Sequence, residues 1–196
     1  MSYAVHSIFA SLQGEGVHAG RAAVFCRFAG CNLACAFCDT DFAGGSEHAS
    51  AAALADAIAA TVVARPTTGR LLCVLTGGEP LLQVDRALIE ALHARDLEIA
   101  VETNGTLPAP DGLDWICVSP KAGAALALTR GDELKLVYPQ QGAEPERYQG
   151  LAFAHLVLQP MDGAALAENT AAAARYCLAH PRWRLGLQLH KRIGIP

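Results

Sequence analysis

Short apolar runs containing β-branched residues return along this chain at 22–28, 71–75, 97–101, 114–118, 133–137, 153–158 and 184–189, and this recurrence is what most limits its fold. Runs of this length, bounded by Gly, Pro and polar residues, read as strands. Helical patterns lie between several of them. Segment 50–64 carries Leu54, Ile58 and Val62 at four-residue spacing, 80–94 carries Leu81, Leu88 and Leu92, and 164–179 supplies a third. Apolar side chains at that spacing share one helix face. Strand alternating with helix predicts an α/β fold with a parallel sheet. Segments 101–114 and 120–131 are too rich in Gly and Pro to hold long helices. The expected architecture is therefore an incomplete (partial) TIM-like β/α barrel, with residues 1–196 as a single domain.

The chain has 196 residues, 52% hydrophobic and 17% charged, which is enough apolar material for one substantial core. Its 15 Lys and Arg stand against 19 Asp and Glu, with no basic run interleaved with aromatics. No nucleic-acid groove is indicated, and a small molecule is the expected partner. The N-terminus has no basic segment followed by an apolar one, and Asp56 interrupts the Ala-rich stretch at 51–64. Neither export nor membrane spanning is expected, so the predicted location is cytoplasmic.

Seven cysteines in such a chain argue against a disulfide framework and for metal or redox use of some of them. Cys26, Cys73, Cys117 and Cys177 sit among apolar neighbours and read as small hydrophobes. Cys31, Cys35 and Cys38 differ. They stand in Gly30-Cys31-Asn-Leu-Ala-Cys35-Ala-Phe-Cys38-Asp39-Thr40, three thiolates from one loop with no fourth. An ordinary four-iron cluster takes one thiolate per iron, so three leave one iron open to an exogenous chelator. A structural zinc site would normally close with a fourth ligand such as His48, but this spacing is not a usual zinc pattern.

In parallel α/β folds ligands bind at the carboxyl ends of the strands. The segments after the apolar runs here are polar and distinctive: Thr76-Gly77-Gly78-Glu79-Pro80, Glu102-Thr103-Asn104-Gly105, Ser119-Pro120-Lys121, Gln159-Pro160-Met161-Asp162 and His190-Lys191. Each also has a plainer reading as a turn or a proline-terminated strand end. The double glycine at 77–78 would let a ligand approach the main chain without a Cβ in the way.

The cysteine triplet followed by the Gly-Gly-Glu-Pro turn resembles the radical S-adenosylmethionine (SAM) superfamily. That resemblance implies a partial barrel of the radical SAM type and a 4Fe-4S cluster on Cys31, Cys35 and Cys38. It also implies that SAM chelates the open iron and is cleaved to a 5′-deoxyadenosyl radical. Four further features narrow the likeness to the 7-carboxy-7-deazaguanine synthase family, over nearly the whole chain. They are Phe9-Ala-Ser-Leu12-Gln13-Gly14-Glu15-Gly16, Arg27, Cys38-Asp39-Thr40-Asp41 and the ending His190-Lys-Arg-Ile-Gly-Ile-Pro196.

The resemblance implies a lyase of queuosine-type deazapurine biosynthesis, contracting 6-carboxy-5,6,7,8-tetrahydropterin to 7-carboxy-7-deazaguanine with loss of ammonia. It implies pterin contacts at Leu12, Gln13, Gly14, Glu15, Arg27, Thr76, His190 and Pro196, with the chain terminus folded back into the site. SAM contacts are implied at Gly78, Glu102, Ser119, Pro120, Lys121, Gln159, Pro160, Met161 and Asp162, and a Mg2+ ligand at Thr40. No protein acid or base is implied. The remaining partners are an electron donor such as flavodoxin or ferredoxin and a second copy of the chain, since a partial barrel leaves an open edge.

Strand alternation places Arg27 opposite Val24, Cys26 and Phe28, so it can project into the barrel, though the residues alone favour a surface arginine and only the resemblance favours the inward one. Two rival functions share part of this pattern. A small radical SAM activase, making a glycyl radical on a partner protein, would lack the Gln-Gly-Glu-Gly loop. A non-enzymatic zinc or redox-sensing module would bind zinc stoichiometrically and form no iron–sulfur chromophore.

Overall fold

The computed structural model describes residues 1–196. It contains strands β1 (Tyr3–Leu12), β2 (Ala22–Phe28), β3 (Ser46–His48), β4 (Leu71–Gly77), β5 (Leu97–Thr103), β6 (Trp115–Val118), β7 (Arg130–Tyr138), β8 (Ala152–Pro160) and β9 (Trp183–Leu185). The helices are α1 (Ala51–Ala60), α2 (Arg86–His93), α3 (Leu166–Ala179) and α4 (Leu189–Ile193). All nine strands form one sheet in the order β3-β1-β2-β4-β5-β6-β7-β8-β9. Every pairing from β2 to β9 is parallel, whereas β1 runs antiparallel to both β2 and β3. The sheet does not close on itself, which makes it the expected partial TIM-like barrel.

Capping explains where the helices begin. The Ser50 hydroxyl accepts from Ala53 N at 3.2 Å and opens α1. The pattern expected to give one helix over 80–94 resolves into a 3-10 turn at Pro80–Leu82 and then α2. Asp85 causes the break, since its carboxylate accepts from Leu88 N (2.9 Å) and from the Tyr3 hydroxyl (2.7 Å), starting a second helix and tying it to β1. The last apolar run is a strand only through Leu185, because Gly186 N turns to donate to Leu158 O at 2.8 Å and α4 begins at Leu189. Strands β1 and β3 lay outside the expected runs; His6, Ser7 and Ser11 interrupt the first, and the second is a three-residue edge.

Strand alternation then sorts the two faces of the sheet. On the outer face Val24, Cys26, Phe28, Leu75, Ile99 and Val101 pack against Leu54 and Ile58 of α1 and Leu88 and Leu92 of α2. Farther round, Leu134, Leu136, Leu156 and Leu158 pack with Ala173 of α3 and Trp183. Cys26, Cys73 and Cys117 are buried, and burial pushes the Cys73 thiol up to about 12, so it behaves as a hydrophobe. The inner face is apolar only low down, at Ala23, Phe25, Leu72, Val74 and Ala100. Above them the same face presents Arg27, Thr76, Glu102, Ser119, Lys135 and Gln159 to a cavity at the carboxyl ends of the strands.

Leu92 is fully buried in the outer core and does not line the cavity. Leu92→Ala is expected to destabilise the fold by about 2–5 kcal/mol in urea unfolding; a loss well under 1 kcal/mol would show that α2 is not packed as described.

Candidate active site

The cavity has a volume of about 460 Å³, and Cys31, Cys35 and Cys38 all stand on its wall. Its shape depends on the turn after β4. Gly77 has φ +120°, and a Cβ on it would lie 2.4 Å from Phe28 N. A Cβ on Gly78 would lie 1.9 Å from Gly30 O and 3.0 Å from Cys31 Cβ. With no side chains there, Gly78 N donates to Phe28 O (3.2 Å) and Glu79 N to Gly30 O (3.0 Å), so the turn is laced to the residues just before the first cysteine.

Glu79 is fully buried and does not line the cavity. Its carboxylate accepts from Leu81 N (2.9 Å), Thr103 Oγ1 (2.7 Å) and Asn104 N (2.8 Å), joining the ends of β4 and β5. Asn104 Nδ2 donates in turn to Asn32 Oδ1 at 2.9 Å, and Asn32 Nδ2 to Thr106 Oγ1 at 2.8 Å. The cysteine loop is thereby held from two sides, by main chain at Gly30 and by side chain at Asn32.

The donor set fits an iron–sulfur cluster better than a single ion. No group of three or more His, Cys, Asp or Glu side chains converges enough to hold one metal ion, and His48 lies in the edge strand β3, paired with Tyr3. A cubane takes one thiolate per iron, so its ligands need not meet at a point. Burial pushes the Cys35 thiol up, against the pull of Lys121, and the neighbouring Cys38 and Cys31 push the same way as burial. The loop would therefore release protons as it took up iron.

Arg27 reaches the cavity as alternation allowed. It is register partner to Thr76 across β2 and β4, so both face inward side by side. Its guanidinium lies 5.3 Å from the centroid of the Phe9 ring, which stacks on Phe25 at 5.2 Å. It makes no ion pair within the chain, leaving its fork of donors free for a carboxylate.

Leu12, Gln13 and Glu15 line the same cavity. Gln13 Nε2 donates to Glu102 Oε1 at 3.2 Å. Lys135, buried on β7, bridges Glu15 (2.7 Å) and Glu102 (2.6 Å). Burial alone would push the Lys135 ammonium down, but the carboxylates of Glu102 and Glu15 that it bridges hold it protonated. Lys135 in turn outweighs burial at Glu15 and holds that carboxylate ionised. Burial pushes Glu133 up toward its neutral form; it accepts from Val17 N at 2.9 Å, and Gly16 has no Cβ to displace it. Nothing local in the run 133–137 signals a role for Lys135 or Glu133, because their partners lie on other strands and loops.

On the other wall stand Gly78, Ser119, Lys121, Gln159, Pro160, Met161 and Asp162. Lys121 Nζ donates to the Ser119 hydroxyl (2.6 Å) and carbonyl (2.9 Å) and has no carboxylate partner. Burial pushes its ammonium down, and an unpaired cation in such a wall suits an anionic ligand. Gln159 Oε1 is buried without a hydrogen-bond partner, which suits a ligand donor. Thr40 lines the cavity as well, its hydroxyl only 3.5 Å from Asp39 Oδ1.

His190 and Pro196 close the rim. Ser11 Oγ donates to Pro196 O at 2.8 Å, and Leu189 N to Gly14 O at 2.8 Å. Of the residues the sequence nominated, Gly14 and Pro120 stand outside the lining. Gly14 seats the helix instead, since a Cβ there would fall 2.0 Å from His190 Nδ1. Pro120 offers its carbonyl to Gln140 Nε2 at 3.4 Å.

A partial β/α barrel whose strand-end cavity is lined by three cysteines and a double-glycine turn defines a radical SAM protein. The sequence model described as the radical SAM superfamily matches residues 26–130. The 7-carboxy-7-deazaguanine synthase of Bradyrhizobium diazoefficiens is 63% identical, and that of Bordetella pertussis 57%, each comparison covering 100% of both chains. The crystal structure of QueE from Escherichia coli superposes with a TM-score of 0.72 at 26% identity, covering 97% of this chain and 95% of that one. The chain belongs to the 7-carboxy-7-deazaguanine synthase family.

Two outcomes follow from this geometry. Glu79→Ala orphans three donors and is expected to cost about 1–3 kcal/mol for each that water cannot reach, with reduced iron uptake on reconstitution; full iron loading and unchanged stability would exclude the staple. Burial lowers the pKa of His190 and of His18 below 6.5, with Arg21 acting the same way on His18, and Lys191 and Arg27 on His190, against Glu15 and Asp39. Just below that pH the unfolded chain binds more protons than the folded one, so stability must fall as pH drops through this window. His190→Asn should flatten the slope in thermal melts.

Proposed function

We propose that this chain catalyses the SAM- and Mg2+-dependent radical contraction of 6-carboxy-5,6,7,8-tetrahydropterin to 7-carboxy-7-deazaguanine, releasing ammonia. The observation that carries the reading is a single cavity lined by Cys31, Cys35 and Cys38 together with Arg27, Gln13, His190 and Pro196. When cluster and SAM are bound, the chemistry they supply is reductive cleavage of SAM to a 5′-deoxyadenosyl radical. The three thiolates hold the cluster, and Lys121, Ser119, Gly78, Gln159 and Asp162 offer charge and hydrogen bonds to SAM.

The rest of the protein's work is orientation and exclusion of water. Arg27 clamps the pterin carboxylate. The ring lies near Phe9 and Leu12, with Gln13, Glu15 and Thr76 along its polar edge. His190, kept neutral by burial, presents one donor and one acceptor. Pro196, anchored by Ser11, closes the pocket. Thr40 would offer its hydroxyl to Mg2+, a poor site alone, so substrate and water would have to supply the other ligands. No side chain is required as a rate-determining acid or base.

The same reading takes in one domain over residues 1–196, a cytoplasmic location, a one-electron donor of the flavodoxin or ferredoxin kind, and a homodimer covering the free edges at β3 and β9. No helix is long and apolar enough to cross a membrane.

The test is anaerobic reconstitution followed by incubation with the carboxytetrahydropterin, SAM and Mg2+. Carboxydeazaguanine is the expected product, and an intact cluster without it would refute the substrate assignment. Arg27→Ala should raise KM for the pterin by roughly tenfold or more while leaving SAM affinity unchanged, reflecting a lost charge-assisted bidentate contact. A tag added after Pro196 should lower activity much more than one at the N-terminus; equal activities would remove Pro196 from the pocket.

A further inference from the structure

Lys191 stands on α4 beside His190, and its ammonium makes two short contacts, to Asp39 Oδ2 at 2.5 Å and to Asp162 Oδ2 at 2.6 Å. Asp39 directly follows the last cysteine of the cluster loop, and Asp162 ends the segment after β8. One turn of the same segment away, Gln188 Nε2 donates to Asp39 Oδ2 at 3.1 Å and to Glu15 Oε1 at 2.9 Å. No main-chain hydrogen bond joins α4 to residues 35–42 or to 161–165. These three segments of the cavity lining therefore meet through side-chain bonds, and Lys191 alone is bonded to both of the other two.

We propose that Lys191 is a positioning residue for the radical reaction, a clamp that sets the cluster loop and the post-β8 segment against the helix carrying His190. Its ammonium touches no reacting atom. It neutralises two carboxylates at once and fixes the spacing of loops that no main-chain hydrogen bond joins. An isolated pair at this exposure contributes little. One cation shared by two carboxylates, one of them also bonded by Gln188, is geometrically far more demanding. The inference rests on the reading that pterin and SAM occupy this one cavity, because only then must loosening α4 affect both ligands.

The experiment uses reconstituted holoenzyme carrying Lys191→Met, Lys191→Arg or Asp162→Asn. Hydrogen exchange is measured without SAM or pterin, and steady-state kinetics with both. Lys191→Met should speed exchange in segments 36–42 and 160–165 together and raise KM for both ligands about three- to tenfold, with a smaller change in kcat. Lys191→Arg, which keeps the charge, should recover most of both effects. Asp162→Asn cuts one arm only, so exchange should quicken at 160–165 and not at 36–42, which keeps the test open if the Met variant folds poorly. Unchanged exchange in either segment of the Met variant, a KM shift for a single ligand, or an Arg variant no better than Met would overturn the clamp. The exchange arm needs no turnover, so failure of the clamp is distinguishable from failure of the substrate assignment.

Discussion

The buried carboxylate of Glu79 receives hydrogen bonds from Leu81 N, Thr103 Oγ1 and Asn104 N, three points that belong to the turn after β4 and to the end of β5. The two glycines before it allow main chain to pass within van der Waals reach of Phe28 and Gly30. Together these contacts fix where the cysteine loop leaves β2. The loop is partly exposed and has no regular secondary structure of its own, so its course depends on what it leans against. Removing either the glycines or the carboxylate would disturb the cluster site without touching a ligand. A motif that reads as a ligand-binding signature is thus first a structural one: Gly78 serves the cavity, and Glu79 serves the sheet.

Electrostatics organise what lies above that frame. The inner face carries buried or half-buried charges at Arg27, Glu15, Glu102, Lys121, Lys135 and Glu133, an arrangement that would destabilise an ordinary core. Lys135 satisfies Glu15 and Glu102, and Glu133 yields by moving toward its neutral form. Arg27 and Lys121 are left without carboxylate partners, and both line the cavity.

Much of this was legible in the residues. Apolar runs located β2 and β4 to β8, and four-residue spacing located α1, because both signals are local consequences of burying one face. The cysteine spacing and the Gly-Gly-Glu turn were legible because few other arrangements demand them. Arg27 needed the family likeness as well as alternation along β2, since alternation alone also suits a surface arginine. Other features depend on contacts distant in sequence. Lys135 acquires its role from Glu15 and Glu102, 120 and 33 residues away, and Lys191 from Asp39, 152 residues away. Strand β3 is three residues of polar sequence recruited by pairing with β1. Asp85 splits an amphipathic pattern that periodicity alone would continue, because it caps a new helix and also binds Tyr3. Gly14 was legible as a glycine, but its actual purpose, making room for His190, appears only once the chain end has folded back.

The central claim is that a loop braced by this turn holds a cluster with three thiolates and leaves one iron for SAM. Low-temperature electron paramagnetic resonance of the anaerobically reconstituted, dithionite-reduced protein tests it most directly, with spectra taken before and after SAM is added. Direct chelation of the open iron predicts a reduced 4Fe-4S signal whose g values shift on SAM addition, and a shift that disappears when any of Cys31, Cys35 or Cys38 is replaced by Ala. A cluster signal indifferent to SAM, or one that survives loss of a cysteine unchanged, would contradict the account.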